Sequence, residues 1–140
     1  MSDGKFEKVT RSEKALYGPR KLVLCGFSAG LQVNFNKVLA YAGLQGIAIV
    51  WASAKEAGNT IARLMALPPG TGSGTDSTLP RVIIVAGISE RELHALMDTC
   101  RASGMKQALW AVLTPASEEW PLRQLVAELE AERRALQDRQ

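Results

Sequence analysis

Apolar and polar positions along this chain alternate between two periods, short apolar runs of strand length and longer stretches with helical spacing. Lys21 to Cys25 is a buried-strand run, Leu31 to Ala42 carries the helical period, and Ile47 to Ala52 is a second strand. Ala42-Gly43-Leu44 ends the first helix with a glycine able to adopt the left-handed cap. The spacing predicts a second helix from about Ala54 to Leu67, interrupted at Gly58. Residues 68–80, from Pro68 to Pro80, are too rich in Gly, Pro, Ser and Thr for regular structure and predict a flexible linker. The pattern then resumes. Arg81 to Ala86 is a strand, Ser89-Glu90-Arg91-Glu92 is a capping box, and Leu93, Leu96, Met97 and Cys100 line one face of the helix it opens. Ala108 to Leu113 is the fourth strand. Leu122, Leu125, Val126 and Leu129 make the last helix amphipathic, and Glu128, Glu130, Glu132, Arg133 and Arg134 make its end wet.

The two halves are the same unit. A shift of 61 positions lays Gly26-Phe27-Ser28 on Gly87-Ile88-Ser89, Gly43-Leu44 on Gly104-Met105, and Ile61 with Leu64 on Leu122 with Leu125. Residues 21–67 and 82–128 therefore read as a βαβα repeat. The chain divides into a basic arm (1–20), a first repeat (21–67), a linker (68–80) and a second repeat (81–140), within one compact domain. The expected fold is α/β: a four-stranded parallel sheet in the order 2-1-3-4, with right-handed crossovers and helices on both faces.

In that order the turns after strands one and three flank a topological switch point, where open α/β sheets hold ligands. Gly26, Ser28, Gly87 and Ser89 are expected to meet there, each turn offering the free N–H groups of a helix N-terminus, with Ser53 and Thr114 as added donors. Such a site suits a small anionic ligand. Folding alone also explains these residues, because glycine permits the tight turn and serine caps the helix. Strands two and four are expected to be exposed edges, which leaves open whether two chains pair there.

Composition narrows the function further. With 140 residues and 46% apolar content the chain has the makings of one soluble domain. The net charge of +3 comes from the arm, where Lys5, Lys8, Arg11, Lys14 and Arg20, with Lys21 after it, are interspersed with acids; no nucleic-acid motif accompanies them, so nucleic-acid binding is disfavoured. There is no run of eighteen apolar residues and the start is polar, so a cytoplasmic protein without a membrane span is expected. Cys25 and Cys100 fall in apolar patterns and read as small buried hydrophobes. His94, the single histidine, cannot build a Ser-His-Asp or multi-His zinc site within one subunit. Pro69-Gly70-Thr71-Gly72-Ser73-Gly74-Thr75 resembles a phosphate loop but lacks its lysine and its strand-to-helix context. Receiver chemistry needs carboxylates where Cys25-Gly26 and Ala86-Gly87 stand, and Gly26-Phe27-Ser28-Ala29-Gly30 lacks dinucleotide spacing. No catalytic residue, metal or cofactor is assigned. The expected function is a small cytoplasmic binding or protein-interaction module without catalysis, reaching a protein partner through the N-terminal arm or the C-terminal helix. The alternative is a regulatory domain binding a small anion at the paired Gly-x-Ser turns.

One resemblance adds to this reading. Val112-Leu113-Thr114-Pro115, then Trp120-Pro121-Leu122, Leu125, Glu128-Leu129 and Glu132, preceded by the Gly87-Ile88-Ser89 turn, resemble an uncharacterised bacterial family, the domain of unknown function numbered three-seven-eight-three. The likeness covers roughly residues 82–132. Ser117 stands where the pattern has Asn, and Pro121 where a Thr or Ser cap is usual. The resemblance implies the fold of the second repeat and no reaction.

Overall fold

A computed structural model describes residues 13–105 and 107–138. Four strands, β1 (Lys21–Cys25), β2 (Ala48–Ala52), β3 (Val82–Ala86) and β4 (Leu109–Val112), form one sheet in the order β2-β1-β3-β4. Helices α1 (Ala29–Tyr41), α2 (Ile61–Met65), α3 (Glu90–Ala102) and α4 (Leu122–Asp138) alternate with them. Successive residues of each strand face opposite sides, so two cores form. Leu22, Leu24, Ile49, Trp51, Ile83 and Val85 pack under α1 and α3. Val23, Cys25, Val50, Ala52, Val82, Ile84 and Ala86 pack under α2 and α4, with Trp120 against their margin. Phe27, Phe35 and Trp51 meet edge to face in the first core, with ring centroids 5.2 to 6.3 Å apart.

The strand order agrees with expectation; the all-parallel sheet does not. β1 pairs with β2, and β3 with β4, in parallel, whereas β1 and β3 run antiparallel. The register explains why. Val23 pairs with Ile84, its own equivalent at the 61-residue shift, and Thr60 bridges to its equivalent Pro121. Equivalent residues that pair antiparallel with each other lie on a pseudo-twofold axis. The two repeats thus join as an isologous dimer does, like surface to like surface. An all-parallel sheet in this order, with right-handed crossovers, places the two crossover helices on opposite faces; the twofold puts α1 and α3 on the same face, in contact.

The helix predicted over 54–67 with an interruption at Gly58 is divided there. A short 3-10 turn (Ala54–Glu56) precedes α2, and Thr60 caps α2 by accepting from the Arg63 N–H at 3.2 Å. The break serves the other repeat. Pro121 carries no capping hydroxyl, and the first N–H groups of α4 donate instead to the 57–59 turn: Leu122 to Asn59 O at 2.8 Å and Arg123 to Ala57 O at 2.9 Å. In return the Ile61 N–H donates to Trp120 O at 3.0 Å. A continuous helix would have consumed those carbonyls.

Candidate functional site

The antiparallel central pair separates the residues expected to converge. Cys25 lies beside Val82, and Lys21 beside Ala86, so the turn after β1 and the turn after β3 are at opposite ends of the sheet. Gly26, Ser28 and Ser53 fall at one end and Gly87, Ser89 and Thr114 at the other. No single cradle contains all six. Locally each is engaged. The Ser28 hydroxyl accepts from the Leu31 N–H (3.3 Å), and Ser89 and Glu92 complete the expected capping box. Ser53 donates from both N–H and hydroxyl to Glu56 Oε1, and Thr114 is tied to Ser117.

Both helix N-termini are filled by the chain itself. The Ala29 N–H at the start of α1 donates to Asp76 Oδ1 (2.8 Å), and the Gly26 N–H donates to Ser77 Oγ (3.2 Å). The anion suited to this N-terminus is a carboxylate from residues 68–80. That segment has neither helix nor strand, yet it is fastened along its length: buried Gln32 receives the Gly74 N–H and donates to Thr75 O, and Gly70 and Thr71 bond along β2. At the other end residues 15–17 do the same. Ala15 bridges to Ser89, the Leu16 N–H donates to Ile88 O (2.7 Å), and the Gly87 N–H donates to Tyr17 O (3.1 Å).

These covering segments belong to the repeat. Pro19-Arg20 and Pro80-Arg81 are identical at the same shift, a signal lying just outside the repeat boundary drawn from the apolar pattern. Arg20 forks onto Glu92 with bonds of 2.8 and 2.6 Å. Its guanidinium, bonded to the Glu92 carboxylate, holds that group down at about 2, with help from the Ser89 N–H. A depressed carboxyl contributes stability above its usual pKa of 4.5 that is lost as pH falls toward 2. Arg20→Ala is therefore expected to lower stability at neutral pH, with the difference from the parent closing below pH 4.5 and vanishing near pH 2. Urea titrations at stepped pH check this, and a pH-independent difference contradicts it.

Arg81, the equivalent of Arg20, has no such partner, because Leu31 occupies the position equivalent to Glu92. Its guanidinium carbon lies 5.2 Å from the centre of the Phe27 ring. Its Nε is buried without a hydrogen bond among the described residues, a deficit that costs about 1–3 kcal/mol or more for a charged group. Apolar periodicity could not single Arg81 out; alignment of the two Pro-Arg pairs does.

Other candidate chemistry is muted. Burial pushes the Cys25 thiol up to about 12 and the Cys100 thiol to about 11, so both are poor nucleophiles. Lys21 is buried, its ammonium donating to Met65 O and Leu67 O at the end of α2. Of the basic arm, Arg20 is spent on Glu92; Lys5, Lys8 and Arg11 lie outside the described residues. Among the described residues no helix is long and apolar enough to cross a membrane.

The sheet edges differ sharply. On β2 the outward groups are occupied: the Gly70 N–H donates to Ile49 O (2.7 Å) and the Trp51 N–H to Thr71 O (2.8 Å). On β4 the Leu109 and Leu113 N–H groups donate inward to β3, so by alternation the N–H and C=O of Trp110 and Val112 point outward. Trp110 and Val112 are the equivalents of Ile49 and Trp51, yet no described residue bonds to their outward groups. The positions equivalent to Gly70 and Thr71 are Ala131 and Glu132, which continue α4 as helix.

No curated protein and no solved structure matches this chain. Residues 81–136, from the residue before β3 to near the end of α4, match the model of the family described as "Domain of unknown function (DUF3783)". The likeness to that family falls on the second βαβα unit of this chain.

Proposed function

We propose that the chain is a cytoplasmic interaction module that acts by strand addition rather than by chemistry, its docking surface the free edge of β4 and its partner a second copy of the chain. Two β4 strands running antiparallel about a twofold would extend the sheet to eight strands. The observation that carries this reading is the contrast between the equivalent edges, one closed by residues 70–71 and the other presenting unpaired Trp110 and Val112 backbone groups. Charge favours the antiparallel sense. Arg133, and Arg101 with its partner Asp98, lie around the start of β4, whereas Glu118 and Glu119 come after its end, so a twofold sets one copy's Arg133 end against the other's acidic end. Exposed Val112, and Leu136 on the projecting end of α4, supply apolar area nearby. Two buried unpaired cysteines support a reducing compartment.

Sedimentation velocity over a wide concentration range tests this. The parent chain is expected to pass from monomer to dimer. Val112→Pro removes an outward N–H that the fold does not use, a position where an edge strand tolerates proline, and is expected to remain monomeric and folded. A parent chain that stays monomeric throughout, or a folded Val112→Pro variant that still dimerises like the parent, sinks the reading.

A further inference from the structure

Away from the β4 edge, a groove of about 580 Å³ opens between α1 and α3. Leu31, Phe35, Val38 and Met105 supply its apolar wall, Lys37 and Arg81 its cations, and among the described residues no carboxylate lines it. We infer that this groove is a binding site for a small amphiphilic carboxylate, its apolar body against α1 and α3 and its head on Arg81. This goes beyond self-association and stands independently of it.

Three observations lead there. First, the molecule already contains the bound form of the interaction, because the equivalent arginine, Arg20, grips the Glu92 carboxylate through two parallel bonds. At the first repeat Leu31 replaces that glutamate, which leaves an arginine without its carboxylate and an apolar side chain beside it. A ligand with an anionic head and an apolar body matches both changes. Second, the Arg81 guanidinium carbon lies 5.2 Å from the centre of the Phe27 ring, and none of its in-plane N–H donors bonds to a described residue, buried Nε included. Those in-plane donors are the ones a carboxylate takes in a forked pair. Third, among the described residues no acidic side chain at the groove competes for the cation. The Thr99 and Ser103 hydroxyls are spent on Ala95 O and Cys100 O, and the last carbonyls of α3 accept from the Ser103, Gly104 and Met105 N–H groups. The volume lies within the range of small-ligand clefts.

The probe is decanoate, titrated into the full chain and followed by amide NMR, with decan-1-ol as the neutral match. Decanoate is expected to shift amides of Leu31, Phe35, Val38, Arg81 and Met105 and to bind at least tenfold more tightly than decan-1-ol. Arg81→Met keeps a long apolar side chain over Phe27 and is expected to weaken decanoate at least tenfold while leaving decan-1-ol unchanged. Asn34→Trp, at an exposed position on the groove rim, is expected to weaken both probes. Equal affinity for the two probes, shifts confined to other surfaces, or undiminished decanoate binding in a folded Arg81→Met or Asn34→Trp variant overturns the inference. Because β4 is untouched in both variants, their sedimentation behaviour separates failure here from failure of the edge-pairing reading.

Discussion

Gly26→Ala and Gly87→Ala are each expected to lower the unfolding free energy by about 2–5 kcal/mol, adding about 1–2 kcal/mol for a left-handed alanine to about 1–3 kcal/mol for overpacking. Both glycines have positive φ, +80° and +70°. Each also lies against the backbone that leads into the other repeat. A Cβ on Gly26 would stand 2.6 Å from the carbonyl oxygens of Leu79 and Pro80, and one on Gly87 would stand 2.5 Å from Pro19 and Arg20 backbone atoms. These neighbours cannot move singly, because each leads directly into a central strand. Gly43 is the control. It shares the left-handed geometry, with φ +86°, but a Cβ there meets nothing within 4 Å, so Gly43→Ala should cost only about 1 kcal/mol. Urea denaturation of the three variants measures the contrast. Equal losses at all three positions would mean that close approach contributes nothing and that the turns are ordinary glycine turns.

Lys21→Met is expected to cost about 3 kcal/mol, since hydrogen bonds to charged groups are worth about 1.5–3 kcal/mol each and two are lost. Lys21 is only 8% exposed, and its ammonium closes two carbonyls at the end of α2, a helix of five residues with little stability of its own. Methionine preserves the length of the apolar stem and removes every donor. The loss should be concentrated in α2: amide exchange at Leu64 and Met65 should accelerate beyond that of β3 in the same variant. A loss below about 1 kcal/mol would show that the gain from these bonds is offset by the cost of burying the ammonium.

Much of the fold was legible because the chain says it twice. The repeat supplies the number of elements, the strand order and the equivalence of Gly26 with Gly87 and Ser28 with Ser89, all visible as periodicity. The sense of the β1–β3 pair was not legible, since an apolar run such as Val82 to Ala86 is buried on both faces and carries no direction. That one unread feature moves Ser28 and Ser89 to opposite ends and dissolves the expected shared cradle. The interruption at Gly58 was visible but its role was not, because the demand for free carbonyls at Ala57 and Asn59 arises in another helix more than sixty residues away. Asp76 read as a polar linker residue because sequence spacing does not reveal which helix a distant carboxylate caps. Arg81 was within reach. The Pro-Arg pairs align at the same shift, and the contrast of Glu92 with its equivalent Leu31 marks the position where the repeat departs from itself.

Hydrogen exchange at Trp110 and Val112, monitored against protein concentration, most directly tests the proposed role of the β4 edge. Association through that edge predicts that both amides exchange rapidly in dilute solution and become protected together as concentration rises, while Leu109 and Leu113, which donate to β3, are protected throughout. Amides at Trp110 and Val112 that remain unprotected at concentrations where the chain is shown to self-associate would contradict the account, and would move the contact to another surface.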